Sequence, residues 1–143
     1  MTTLEKTKIT VGATIHASVE RVWNAWNNPS DITKWNSPSP DWHCPTAQND
    51  LQVGGKLKSR MEAKDGSFGF DFEGTYNEVV PFKKIAYTIA DGRAVVSTFE
   101  KQDGKTKLTT VFEAEGENPL EMQQGGWQAI VDSFKNYIES TNN

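Results

Sequence analysis

Two histidines and one cysteine are the side chains here best suited to nucleophilic or acid–base chemistry, and their spacing limits them. His43 and Cys44 are neighbours, the one place where a nucleophile adjoins an imidazole base. Consecutive residues of a strand point to opposite faces, so this pair does not make a dyad if the segment is extended. His16 falls on the outward phase of an alternating segment and reads as solvated. No Cys-x-x-Cys, His-Glu-x-x-His or Gly-x-Ser-x-Gly pattern occurs, and no glycine loop is arranged to cradle phosphate. A metal at His43 and Cys44 would have too few soft ligands. Asp71 and Glu73 share one phase of a strand and read as a solvated face rather than an acid–base pair. No catalytic residues and no cofactor are assigned. An enzyme would have to work through a buried Tyr, Asp or Glu that no motif marks.

The bulk properties narrow the partners. The chain has 143 residues and a formal net charge of −4, with both signs interspersed. A nucleic-acid partner would demand a basic face, and none is visible. The single cysteine excludes an internal disulfide. The first residues lack the apolar core of a signal peptide, and no run is long enough to span a bilayer. A cytoplasmic protein folded as one domain over residues 1–143 is expected.

The elements that must position any site follow from periodicity. Ile9, Val11, Ala13, Ile15 and Ala17 alternate with polar or small residues and predict a strand with one buried face. Ser18 is placed as an N-cap, opening a short helix with Val19, Val22, Trp23 and Trp26 inward. Asn28-Pro29 starts a second short helix that ends before Ser37-Pro38-Ser39-Pro40. The segment from Trp42 to Asp50 reads as an edge strand, because Pro45 is tolerated only at an edge or bulge. Three Asp-Gly turns, at residues 65–66, 91–92 and 103–104, separate alternating strands and favour antiparallel hairpins. Their inward phases are Leu57, Ser59, Met61 and Ala63; then Phe68, Phe70, Phe72, Gly74 and Tyr76; then Ile85, Tyr87 and Ile89; then Leu108, Thr110, Phe112 and Ala114.

After Pro119 the period changes. Trp127, Ile130, Val131, Phe134 and Ile138 recur at spacings of three and four, one stripe of a long helix. Gln128, Asp132, Lys135, Asn136 and Glu139 occupy the other side and read as solvated. An amphipathic helix ending a strand-rich chain buries its stripe on the concave face of the sheet. The expected class is α+β.

Several stretches carry a resemblance: Ala17 to Trp23 at the first strand–helix junction, Val53-Gly54-Gly55-Lys56, Gly74 to Thr88, and Gly126-Trp127. In this order they resemble the activator of 90-kDa heat-shock-protein ATPase homologue-like family, within the START and birch-pollen-allergen-like superfamily. Ser18 stands where the family usually has proline, which leaves the cap intact. The resemblance implies a helix-grip fold: seven antiparallel strands curved around the C-terminal helix, with an apolar cavity between them.

Three functions follow as expectations. The first is binding of an apolar or amphipathic small molecule, such as a lipid, sterol or polyketide-like compound. Its candidate lining is Trp35, Met61, Phe70, Phe72, Tyr87, Val96, Ile130 and Phe134, with Met122 and Gly126 toward a mouth; the same residues would serve equally as packed core. Gly74 on an inward phase and Gly125-Gly126 near the start of the helix favour open space. The glycine pair either lies inside the helix or precedes one that begins at Trp127. The second is a co-chaperone-like contact with a heat-shock ATPase, with Trp42 and the Pro38–Pro45 loop as its surface. The third is a cyclase- or hydrolase-like enzyme on the same fold.

Overall fold

Seven strands and three helices form where the alternation changes period, in a computed structural model that describes residues 7–140. In chain order they are β1 (Lys8–Ile15), α1 (Val19–Asn27), α2 (Pro29–Trp35), β2 (Trp42–Asn49), β3 (Lys56–Ala63), β4 (Gly69–Val80), β5 (Lys84–Ile89), β6 (Ala94–Gln102), β7 (Lys105–Glu113) and α3 (Leu120–Ser140). All strands pair antiparallel in one curved sheet of order β1-β7-β6-β5-β4-β3-β2. The class is therefore α+β, and the architecture is a sheet gripping its last helix.

Local chemistry sets the boundaries. The Ser18 hydroxyl accepts from the Arg21 N–H at 3.2 Å and caps α1. The Asn28 side chain accepts from the Ser30 N–H at 3.1 Å and caps α2, with Pro29 in the first helical position. Gly66, Gly92 and Gly104 take positive φ in the three hairpin turns, as the Asp-Gly pairs require. β2 lies at the sheet's edge, and its register with β3 shifts between His43 and Thr46, so Pro45 stands in the irregularity.

α3 holds the molecule together through an aromatic nest. Phe134 is fully buried, with the Trp26 and Trp35 rings edge-on to it, each at a centroid distance of 5.0 Å. Trp26 and Trp35 stack on each other at 4.7 Å. The Trp35 indole N–H donates to the Ala25 carbonyl at 3.0 Å, and the Ser133 hydroxyl donates to the Trp35 carbonyl at 2.7 Å. One turn of sequence thus ties α1, α2 and α3 into a single packed layer. Further along, Trp127 stacks on Phe112 of β7 at 3.9 Å.

The polar side of α3 differs from its sequence reading. Gln128, Lys135 and Glu139 do not simply face water: they bond the outer edge of β1. The Gln128 amide donates to the Gly12 carbonyl at 2.9 Å and accepts from the Gly12 N–H at 3.1 Å. The Lys135 ammonium donates to the Thr14 carbonyl at 2.8 Å, and the His16 N–H donates to the Glu139 carboxylate at 3.0 Å. The Lys135 ion pair and the His16 N–H hold the Glu139 carboxyl below the usual glutamate range. β1 has only β7 as a strand partner, so its outward N–H and C=O groups must find donors and acceptors elsewhere. Helix side chains spaced one or two turns apart supply them.

The glycine pair also resolves. Gly125 and Gly126 lie inside α3, and a Cβ added to either would meet nothing within 4 Å. No close approach requires them. The start of α3 is secured instead by Gln123, a buried amide that donates to the Glu115 and Asn118 carbonyls at 3.1 and 2.8 Å and accepts from the Glu115 N–H at 2.9 Å.

Candidate functional site

Where α3 leaves the sheet, an open volume remains. It measures about 210 Å³ and is enclosed by residues of all three helices and of β2, β3, β4, β5 and β7. Six expected residues meet there: Trp35, Met61, Phe70, Phe72, Tyr87 and Ile130. They converge because β3 and β4 place Met61 opposite Phe70 and Ser59 opposite Phe72, while β5 adds Tyr87 beside Tyr76. The opening lies on the β2–β4 side, where the lining residues Gln48 and Phe70 are exposed.

Four expected residues lie elsewhere. Phe134 belongs to the packed aromatic nest and not to the cavity wall. Met122 is 62% exposed and does not line the cavity, and neither does Gly126. Val96 is one residue out of phase. Val95 and Ser97 are buried on the inner face, with the Ser97 and Thr110 hydroxyls bonded to each other at 2.8 Å. With valine at both 95 and 96, alternation alone cannot distinguish the faces, and the inward serine disguises the true phase.

Gly74 has a different role from the one expected. A Cβ there would come within 2.7 Å of the Tyr87 ring, so the glycine seats that ring rather than leaving space. Tyr87 in turn lies edge-on to Phe72 and Tyr76, at centroid distances of 6.4 and 5.9 Å.

The sequence reading missed the polar end of the cavity. The Tyr76 hydroxyl donates to the Asn49 amide oxygen at 2.6 Å. The Asn49 amide donates to the Asn27 carbonyl at 2.7 Å, and the Asn27 amide donates to the Trp23 carbonyl at 2.9 Å. This relay joins the end of α1 to β2 and β4. Burial pushes the Tyr76 phenol well above its ordinary pKa, so it stays protonated and acts as the donor. Tyr76 was visible on the inward phase; a half-buried asparagine in an edge strand left no periodic signal. Trp127, Trp26, Leu57 and Ile32 complete the apolar wall. No Lys, Arg, His, Asp or Glu lines it.

The residues with the most evident chemistry do not line this cavity. Cys44 is 3% exposed, its thiol donates to the Thr46 carbonyl at 3.3 Å, and burial pushes its pKa up. His43 points to the other face, where its Nε2 lies 3.6 Å from the Glu62 carboxylate. Asp71 meets Lys58 and Arg60 on the outer surface at 3.8 and 3.6 Å. Among the described residues, no group of three or more His, Cys, Asp or Glu side chains is placed to hold a metal ion, and no helix is long and apolar enough to cross a membrane. A second aromatic group stands at the opening: Trp42, Phe68 and Phe70 lie mutually about 6 Å apart by their centroids (6.1, 6.1 and 6.0 Å), with Phe68 60% and Phe70 41% exposed.

Solved structures share the fold. The solution structure of an AHSA1-like protein from Aeromonas hydrophila is 42% identical, with 94% of this chain and 93% of that one covered and a TM-score of 0.88. A Cytophaga hutchinsonii protein is 47% identical over 94% and 92% of the two chains, with a TM-score of 0.79. A Chromobacterium violaceum protein is 26% identical over 93% and 98%, with a TM-score of 0.83. No curated protein matches the chain. The family model described as "Activator of Hsp90 ATPase homolog 1-like protein" matches residues 16–139, and the chain belongs to that family.

Proposed function

We propose that this protein binds a compact, largely apolar small molecule in the cavity between the sheet and α3. The observation that carries this reading is a volume of about 210 Å³ walled by aromatic and aliphatic side chains with no charged residue among them. Ligand sites are concave, mostly apolar and sparsely polar, as this one is. Size narrows the class. An apolar cavity of about 150 Å³ accommodates benzene, whereas pockets for drug-sized molecules begin at about 300 Å³. The proposed ligand therefore has one to a few rings. Of the expected classes, a small polyketide-like aromatic fits better than a sterol or a long acyl chain.

Ligand-observed NMR with a panel of mono- to tricyclic aromatics tests this. Binding is expected for the wild type and lost in Ile130→Trp, whose larger ring enters the cavity from the partly exposed helix face while the fold is retained. Equal binding by both proteins, or none by either, would remove the cavity as the site.

A second reading is favoured by the exposed Phe68 and Phe70 beside the half-buried Trp42: contact with a heat-shock ATPase, in keeping with the family's description. Exposed aromatics clustered beside a pocket are unusual for a surface without a partner. This reading expects that adding the protein alters ATP turnover by the large heat-shock chaperone of its host, and that Phe68→Ser abolishes the change. Unaltered turnover would leave the small-molecule reading alone.

A further inference from the structure

The cavity has six buried lining residues with polar side chains: Asn27, Trp35, Ser59, Tyr76, Tyr87 and Thr110. Four are hydrogen-bonded within the protein: Asn27 to the Trp23 carbonyl, Trp35 to the Ala25 carbonyl, Tyr76 to the Asn49 amide and Thr110 to the Ser97 hydroxyl. The short Ser59 side chain lies beside the Cys44 thiol, whose pKa its hydroxyl lowers. The Tyr87 hydroxyl has no hydrogen-bond partner among the described residues. Buried polar groups are satisfied in the great majority of cases, and an exception calls for an explanation.

Three features hold this hydroxyl where it is. Gly74 admits the ring against β4, and Phe72 and Tyr76 flank it edge-on. Tyr87 keeps 9% of its surface, and no polar side-chain atom that is fully sealed lacks a partner among the described residues. The oxygen is therefore not closed off by protein, and Tyr87 is among the residues that line the cavity. Desolvation raises the phenol's pKa, so the group remains a donor throughout the ordinary pH range.

We propose that Tyr87 is the specificity-determining donor of this cavity, and that the ligand is an uncharged ring compound bearing an acceptor oxygen, a carbonyl or an ether, directed at it. The inference rests on the cavity being a binding site. An anionic ligand would enter a wall with no cation to receive it. A pure hydrocarbon would leave the hydroxyl unsatisfied, and a site with an unmet polar group discriminates against such a ligand.

The test compares α-tetralone with tetralin, two bicyclic molecules of nearly one shape, of which only the first has a carbonyl. Affinities are measured by titration calorimetry for the wild type and Tyr87→Phe. The ratio favouring α-tetralone is expected to fall about fivefold in the variant, the effect of one hydrogen bond. Tyr87→Phe should melt with the wild type, because its ring is kept and no internal hydrogen bond is lost. An unchanged ratio with both compounds bound overturns the role of Tyr87 and leaves the cavity standing. Binding of neither compound by either protein defeats the cavity reading, and this inference with it. A clear drop in the variant's Tm also overturns the proposal, since the hydroxyl would then be bonded within the fold.

Discussion

Replacing Phe134 with alanine is expected to destabilise the protein by about 4 kcal/mol, the usual cost of removing a buried phenylalanine. For a chain of this size that corresponds to a fall in Tm of about 10–15 °C. The ring has no solvent exposure and is the common neighbour of Trp26 and Trp35. Its loss would leave a void that two stacked indoles, one of them tethered through its N–H to Ala25, cannot refill without abandoning their own geometry. Phe134→Leu should cost much less, because it retains most of the volume. Differential scanning calorimetry decides the matter. A drop of only a few degrees for the alanine variant would show that the three helices are held by something other than this nest.

A second large effect is expected at a position with no side chain. Gly12→Val should destabilise by about 3 kcal/mol or more, because the added atoms are forced into backbone. A Cβ at Gly12 would lie 2.5 Å from the Leu108 carbonyl oxygen and 3.3 Å from the Thr109 Cα, neither of which can swing aside. Any shift of β1 would also break the paired hydrogen bonds between Gly12 and Gln128. Gly125→Ala is the contrasting case. Open space surrounds that position and the residue is helical, so alanine should stabilise by about 1 kcal/mol. Thermal melts of the two variants should move in opposite directions. A shift of the same sign in both would refute the claim that close approach, rather than glycine as such, sets the requirement.

The contrast between these glycines shows what the sequence could disclose. Strand phases were readable in the later strands, where Leu108, Thr110 and Phe112 proved buried, as did Ile85, Tyr87 and Ile89, whereas Phe68 and Phe70, also expected inward, are 60% and 41% exposed at the sheet's open end. The Asp-Gly turns were readable because the required positive φ favours glycine. Val96 failed because two adjacent valines and an inward serine erase the alternation. The polar face of α3 failed for another reason. A side-chain amide that bonds a strand 116 residues away has the same local pattern as one facing water. The same limit hid the Asn27, Asn49 and Tyr76 relay. Its members come from α1, β2 and β4, and only the folded chain brings them together. Six of ten expected site residues nevertheless surround the cavity, since wall residues share the inward phase with the core. Periodicity gives the face on which a residue lies. It does not tell whether the space above that face is filled.

The two borders of the sheet bear on how the protein behaves at high concentration. One border is β1, where Gln128 and Lys135 of α3 engage Gly12 and the Thr14 carbonyl, and Glu139 takes the His16 N–H just beyond it. The other is β2, interrupted by a bulge and by a proline that has no N–H to offer, with Asn49 reaching across to the end of α1. An unprotected strand edge is where a second chain can add and begin a fibril. Here one edge is partly occupied and the other is broken, and both features disfavour the addition of a further strand.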